Sequence, residues 1–212
     1  MSRIKVENLE GGLVLRERDG RLDVLLGGHV LLSSAALETE LAFGALVGEL
    51  VPGAKRVAIG GLGFAATLRG VLGAVGPDAE VIVVEKLEPI VALARSRPDL
   101  VQGALDDPRV RLVVADVADF IAGERELDAL LLDVDNGPGW ASFRTNARLY
   151  APAGVEAAAR ALAPNGIFAL WSGYPDDAFL GRLRGAGLHA SLVPLKERGI
   201  VRARAYVGRR PA

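Results

Sequence analysis

Three acidic residues occupy comparable places in the chain. Glu85 closes Val81-Ile82-Val83-Val84, Asp116 follows Leu112-Val113-Val114-Ala115, and Asp133 follows Leu130-Leu131-Leu132. Each apolar run reads as a buried β-strand, so each carboxylate stands at or just past a strand's carboxyl end. Ligands of open α/β sheets bind beyond those ends. A further run, Lys55-Arg56-Val57-Ala58-Ile59, leads into Gly60-Gly61-Leu62-Gly63-Phe64-Ala65-Ala66. Glycines there permit a tight turn and let the backbone approach a ligand with no Cβ in the way. Gly61, Gly63 and Ala66 also satisfy the dinucleotide pattern G-x-G-x-x-A. The glycine turn with three strand-end acids predicts a nucleoside site. Gly60, Gly61 and Gly63 shape the turn, Glu85 accepts the ribose hydroxyls, and Asp116 with Val117 faces the adenine. Asp133 borders the nucleoside and its reacting end. A plain glycine turn and solvated strand-end charges are the alternative.

The stretch Asp133-Val134-Asp135-Asn136-Gly137-Pro138 carries two more polar candidates, Asp135 for catalysis and Asn136 for an acceptor. The segment from Gly137 to Tyr150 holds Trp140, Phe143 and Tyr150. A loop of that length over a site suits a lid or an acceptor-binding element, although its aromatics could equally pin it to the body. Trp171 and Tyr174 follow the next strand and are candidates for the same pocket.

The elements that must position these residues follow from pattern. Residues 3–32 read as β-structure with Asp19-Gly20 as a two-residue hairpin turn, giving a β-hairpin appendage over residues 1–34. Residues 35–212 then form one Rossmann-like domain. Ser33-Ser34 offers a cap for a helix over 35–50, which Val51-Pro52-Gly53 stops. Strands over 55–60, 80–85, 110–116, 127–133 and 166–171 alternate with helical segments, as in a parallel sheet covered on both faces. After a helix around 176–186, two strands, Leu188 to Leu195 and Ile200 to Val207, are joined by only Lys196-Glu197-Arg198-Gly199. So short a link forces an antiparallel pair. The expected fold is therefore α/β, a mostly parallel seven-stranded sheet ending in an antiparallel hairpin, of the class I methyltransferase type.

Composition narrows the chemistry. There is no cysteine, which removes thiolate zinc sites and a cysteine nucleophile. His29 and His189 are the only histidines, so no histidine metal cluster is expected, and no metal is assigned. The formal charge of −1 gives no general pull toward nucleic acid or anionic membranes. No apolar run reaches the ~18–20 residues of a membrane span, and the first residues lack a signal peptide's apolar core. A cytoplasmic protein acting on a small-molecule acceptor is expected, with a homodimer through the edges of the N-terminal strands.

The residues Val57 to Arg69, Val83-Val84-Glu85, Asp107-Pro108-Arg109-Val110, Ala115-Asp116 and Leu131 to Pro138 together resemble the spermidine synthase family. Leu162-Ala163-Pro164-Asn165-Gly166-Ile167 resembles the approach to the fifth strand in methyltransferases and their relatives. The resemblance covers about residues 20–208. It implies an adenosyl ligand, S-adenosylmethionine or its decarboxylated form, with Glu85 on the ribose and Asp116 near the adenine. It also implies an aspartate in the glycine turn, where Phe64 ends an acid-free run, and a D-[ST]-[ST]-D loop whose second aspartate falls on Asn136. The glutamine and tyrosine that the resemblance implies around residues 30–40 are replaced by Val30-Leu31-Leu32-Ser33-Ser34. An acid-free turn suits an intact ligand whose own carboxylate an aspartate would repel. Methyl transfer to a small acceptor is therefore the leading expectation. Aminopropyl transfer to a polyamine, with Asp133 and Asp135 as cation site and base, is the alternative. A non-catalytic adenosyl-binding protein comes third, and a nicotinamide oxidoreductase, opposed by the terminal hairpin, fourth.

Overall fold

The computed structural model describes residues 4–134 and 146–212. Its first four strands, β1 (Ile4–Asn8), β2 (Leu13–Arg18), β3 (Arg21–Leu26) and β4 (His29–Ser33), form an antiparallel sheet in sequential order. Asp19 and Gly20 both have positive φ, 52° and 78°, which matches the twist a two-residue hairpin needs. Three strands are pinned by one carboxylate. Arg16 donates to Asp23 at 2.8 Å, and the Ser33 hydroxyl donates to its other oxygen at 2.7 Å. Burial opposes ionisation of Asp23, but these partners and Arg21 outweigh it and hold the carboxyl below its ordinary range. The N-terminal segment is thus a four-stranded sheet rather than a lone hairpin. Leu13, Leu15 and Val24 join the same core as Phe43, Val57 and Ile59.

A single 3-10 turn, Ser34–Ala36, precedes α1 (Leu37–Leu50). There follow β5 (Arg56–Gly60), α2 (Ala66–Ala74), β6 (Glu80–Glu85), α3 (Glu88–Ser96), β7 (Val110–Val114), α4 (Val117–Gly123) and β8 (Leu127–Leu132). Beyond residue 145 come α5 (Ala147–Tyr150), α6 (Pro152–Ala161), β9 (Leu162–Ser172), α7 (Asp177–Gly185), β10 (His189–Glu197) and β11 (Ile200–Arg209). The short α5 lies in what the sequence suggests is loop. Strand β9 begins earlier than its apolar run, because its pairing with β8 shifts from Leu127↔Leu162 to Ala129↔Ile167. That irregularity accommodates Pro164, which has no N–H to give a regular ladder.

The second sheet has the order β10-β11-β9-β8-β5-β6-β7. Pairs among β5 to β9 are parallel, whereas β11 runs antiparallel to both β9 and β10. The expected seven-stranded α/β fold with its terminal hairpin is what forms. Alternation along each strand divides the interior. Val57 and Ile59 of β5 face Phe43 and Leu68, while Ala58 faces the cluster containing Leu130, Phe168, Phe179 and Tyr206. From β5 the chain runs outward through β6 to β7 and then returns to β8 on the other side of β5, and this reversal of strand order opens a crevice above the carboxyl ends.

Helices α1 and α2 cross almost backbone to backbone. A Cβ on Gly44 would lie 2.1 Å from the Thr67 carbonyl oxygen, and one on Gly70 2.2 Å from that of Leu41. Only glycine permits this approach, and it brings the first turn of α1 against the first turn of α2. No helix among the described residues is long and apolar enough to cross a membrane.

Candidate functional site

A cleft of ≈ 160 Å³ lies over the carboxyl ends of the central strands. Gly61, Gly63, Glu85, Asp116, Val117 and Asp133 line it, with Leu31 and Leu32 of β4 covering one side. Six of the residues expected at a nucleoside site therefore share one wall. Gly60 lies beneath that wall: a Cβ there would meet Leu132 and Val117 side-chain atoms at 2.8 Å, so its glycine serves packing.

The glycine turn is held by its neighbours. Gly61 donates its N–H to the Val84 carbonyl at 2.9 Å, and Asp133 donates to the Gly60 carbonyl at 2.9 Å. Gly61 has φ 97°, and a Cβ on it would stand 2.2 Å from the Asp133 carbonyl oxygen. Ala65 sits in the left-handed region at φ 58°, a conformation that costs a non-glycine residue about 1–3 kcal/mol and recurs at ligand-holding turns.

Glu85 is locked by backbone donors. Leu62 N–H reaches one carboxylate oxygen at 3.1 Å and Leu87 N–H the other at 2.8 Å. Each oxygen keeps a further lone pair, so the group can still accept from a vicinal diol such as a ribose. Asp116 caps α4, its Oδ1 accepting from Ala118 N–H at 3.0 Å. Lys86 pairs with Oδ2 at 2.9 Å and Arg148 of α5 with Oδ1 at 2.7 Å. Burial opposes its ionisation, but the two cations outweigh burial and keep Asp116 below the ordinary carboxylate range. Arg148 also reaches Asp119 at 3.1 Å, so the chain returning at α5 is tied to this end of the cleft.

Asp133 stands at the opposite end. Thr67 of α2 donates to its Oδ2 at 2.5 Å, and the same hydroxyl lies 3.3 Å from the Glu40 carbonyl oxygen of α1. Burial pushes Asp133 up to about 6 against that hydrogen bond. Glu40 is raised further, to about 9, first by burial and then by the charge of Asp133, with Arg69 pulling the other way. Burial raises both acids, and the charge of Asp133 adds to the rise at Glu40, so the two resist being ionised together. Pattern alone marks Glu40 only as an acid in a helix's first turn. The signal that could have found it is the pair of helix-interior glycines, Gly44 and Gly70, which announces a close crossing.

Two expected residues do not reach the cleft. Tyr150 is buried and meets the Phe179 ring edge-on at 6.4 Å, in the core beneath α6 and α7. Trp171 is buried too, its indole N–H donating to Thr39 Oγ1 at 3.3 Å. Large aromatics bury their area where the core can take it, and both sit where helices cover the sheet. Tyr174 is exposed and its carbonyl accepts from the Ser172 hydroxyl at 2.7 Å. Asp135, Asn136, Trp140 and Phe143 lie outside the described residues. No group of three or more His, Cys, Asp or Glu residues able to hold a metal occurs among the described residues.

No family model matches the chain. A polyamine aminopropyltransferase of Mycobacterium tuberculosis is 33% identical over 105 residues, covering 47% of this chain and 19% of that protein's length. The match thus spans about a fifth of that relative. A spermidine synthase solved in complex with the transition state analogue AdoDATO superposes with a TM-score of 0.67 at 19% identity, over 99% of this chain and 69% of the other. The spermidine synthase of Thermotoga maritima gives 0.68 at 20% identity with the same coverage. A methyltransferase of Geobacter sulfurreducens gives 0.56 at 20%, over 82% of this chain and 78% of its own. The likeness to the solved structures establishes the fold: the seven-stranded, mostly parallel α/β arrangement that these synthases and the methyltransferase share.

Proposed function

We propose that the chain binds decarboxylated S-adenosylmethionine in this cleft and transfers its aminopropyl group to a polyamine-type amine. The observation that carries the reading is the order of acids across the sheet. Asp116 lies at β7, Glu85 at β6, the glycine turn at β5 and Asp133 at β8, on four adjacent strands. Three inter-strand spacings of ~4.8 Å span about 14 Å, the length of an extended adenosyl ligand. Adenine at Asp116, ribose at Glu85 and the charged tail at Asp133 follow from that order. An acid at the tail end favours a ligand with an amine and no carboxylate. The spermidine synthase folds and the aminopropyltransferase match support the same choice. Methyl transfer, favoured by the acid-free turn alone, has no such support, and it yields to the aminopropyl alternative.

The ligand supplies a sulfonium, an activated leaving group. Glu85 orients the ribose through two acceptors that its own backbone partners hold rigid. Asp133 steers the tail. The acceptor nitrogen uses its lone pair to form the new C–N bond while the C–S bond breaks, releasing methylthioadenosine. The proton that the nitrogen sheds passes to a carboxylate, the role we assign to Asp135 on the segment following Asp133. Catalysis then rests on in-line positioning and that one base.

The test is turnover of decarboxylated S-adenosylmethionine against putrescine, cadaverine, spermidine and agmatine, with methylthioadenosine release as the readout. Release that depends on an amine, and is lost in Asp133→Asn, supports the proposal. Binding with no release across the panel would leave only a non-catalytic adenosyl-binding protein. Methylation of an acceptor by intact S-adenosylmethionine would reinstate the methyl reading.

A further inference from the structure

We propose that a β-bulge in β4 makes the N-terminal sheet a specificity element of the cleft, with Leu31 and Leu32 together seating an uncharged alkylthio group on the 5′ carbon of the bound nucleoside. The inference rests on the adenosyl reading of the cleft and assigns the residues that read the sulfur end of that ligand.

In the pairing of β3 with β4, Val24 stands opposite Leu32 and Leu25 opposite Val30, so Leu31 is the extra residue of a bulge. Consecutive side chains of a regular strand point to opposite faces, which would send only one of the two leucines into the cleft. A bulge re-aims a side chain, and such irregularities are common beside active sites. Here both Leu31 and Leu32 line the cleft. They are half-buried, on the last strand of their sheet. The side chains that β4 gives the cleft are hydrocarbon alone. The Ser33 hydroxyl donates to Asp23 at 2.7 Å and the Ser34 hydroxyl accepts from Leu22 N–H at 2.8 Å, so both turn back into the N-terminal sheet.

This wall stands over the middle of the cleft. A Cβ on Gly63 would lie 3.9 Å from Leu32 Cδ2, and Gly63 belongs to the turn that follows β5. Strand β5 lies between β6, which carries Glu85, and β8, which leads to Asp133. A nucleoside with its ribose on Glu85 and its tail toward Asp133 therefore passes its 5′ carbon and sulfur beneath Leu32. Leu32, Gly63 and Ile90 also border an apolar recess with Phe64, Leu93 and Val101, so hydrocarbon continues behind the wall. A thioether gains by leaving water for such a surface, whereas a hydroxyl in the same place forfeits its hydrogen bonds. Methylthioadenosine carries the thioether on its 5′ carbon and adenosine the hydroxyl. The bulge thereby gives the cleft a preference for 5′-alkylthio over 5′-hydroxyl nucleosides.

The experiment is isothermal titration of the full chain, and of its Leu31→Asn and Leu32→Asn variants, with adenosine and with methylthioadenosine. Asparagine keeps a branched outline but adds a polar amide, and adenosine binding reports that each variant is folded. The wild type is expected to bind methylthioadenosine about tenfold more tightly than adenosine, the worth of about two buried methylene-sized groups. Each asparagine variant should cut that ratio to about threefold or less while holding adenosine as before. Leu31→Ala and Leu32→Ala remove area without adding a polar group, and they carry the same test if asparagine unfolds the strand. A tenfold ratio that survives in the variants overturns the inference. So does a loss confined to Leu32, because the bulge would then contribute nothing. Equal weakening of both nucleosides overturns it too, since the leucines would only pack the N-terminal sheet. Equal affinity of the wild type for the two nucleosides overturns the inference and leaves the adenosyl reading in place. Failure of the wild type to bind either one overturns that reading, and this inference with it.

Discussion

Replacing Glu40 by glutamine should stabilise the empty protein, and increasingly so as pH rises. Folded Glu40 holds its proton up to about pH 9, whereas an unfolded glutamate loses it near ~4.3. Between those values the native state binds more protons than the unfolded one, so raising the pH favours unfolding. One proton corresponds to ~1.4 kcal/mol per pH unit, so two units, from pH 6.5 to 8.5, cost the wild type up to about 3 kcal/mol. Asp133, near 6, has largely ionised by the start of that window and contributes little within it. The two histidines lie on the surface and are common to both proteins, so they cancel in the comparison. The assay is urea unfolding followed by tryptophan fluorescence, Trp171 being buried in the core, at pH 6.5, 7.5 and 8.5 and constant ionic strength. Urea leaves the electrostatics unscreened. Glu40→Gln should gain on the wild type by about 2–3 kcal/mol across the window. Parallel stability curves for the two proteins would refute the claim that Glu40 is a half-buried acid with a raised pKa.

Three further outcomes follow from particular contacts. Glu85→Gln should weaken methylthioadenosine binding by about 10–100-fold by calorimetry, because a charged acceptor for two hydroxyls becomes a neutral one whose amide faces a backbone N–H. Gly44→Ala improves helix propensity by about 1 kcal/mol yet should destabilise by about 2 kcal/mol overall in thermal melts, since its Cβ has no room against α2. The distance that leads to this expectation is 2.1 Å to the Thr67 carbonyl oxygen. Tyr206→Phe should cost about 1–2 kcal/mol in urea unfolding, because the buried phenol oxygen accepts the Asp176 N–H and its loss leaves that donor unpaired.

Much of the fold was legible because its elements are locally determined. Each parallel strand is a short apolar run bounded by turn residues, and Lys196-Glu197-Arg198-Gly199 leaves no length for a crossover, so the antiparallel ending follows from chain geometry. Strand-end acids were legible for the same reason: Glu85, Asp116 and Asp133 needed only the strand boundaries and the rule that α/β sheets bind ligands at their carboxyl ends. Depth was not legible. Tyr150 and Trp171 stand beside the predicted pocket in sequence, but whether an aromatic faces a cleft or the core depends on which helix covers it. Lys86 and Arg148 converge on Asp116 from residues on either side of it in the chain. No spacing rule joins those three.

The acid-free glycine turn shows why such long-range placement decides function. In the sequence, Phe64 at the end of that turn makes its surroundings look neutral, and a neutral tail pocket admits an intact ligand with its carboxylate. In the fold, α1 crosses α2 at Gly44 and Gly70 and brings the Glu40 backbone carbonyl to the Thr67 hydroxyl, which donates to Asp133. Asp133, held by that hydroxyl, makes this end of the cleft acidic although its turn is not. A carboxyl held by a helix hydroxyl is placed by helix packing, which no local pattern in the turn records. Repacking α1 against α2 at Gly44 should therefore displace Thr67 and with it the hydroxyl that holds Asp133, while Glu85 keeps its Leu62 and Leu87 donors; the expected outcome is an altered Asp133 titration with unchanged methylthioadenosine binding.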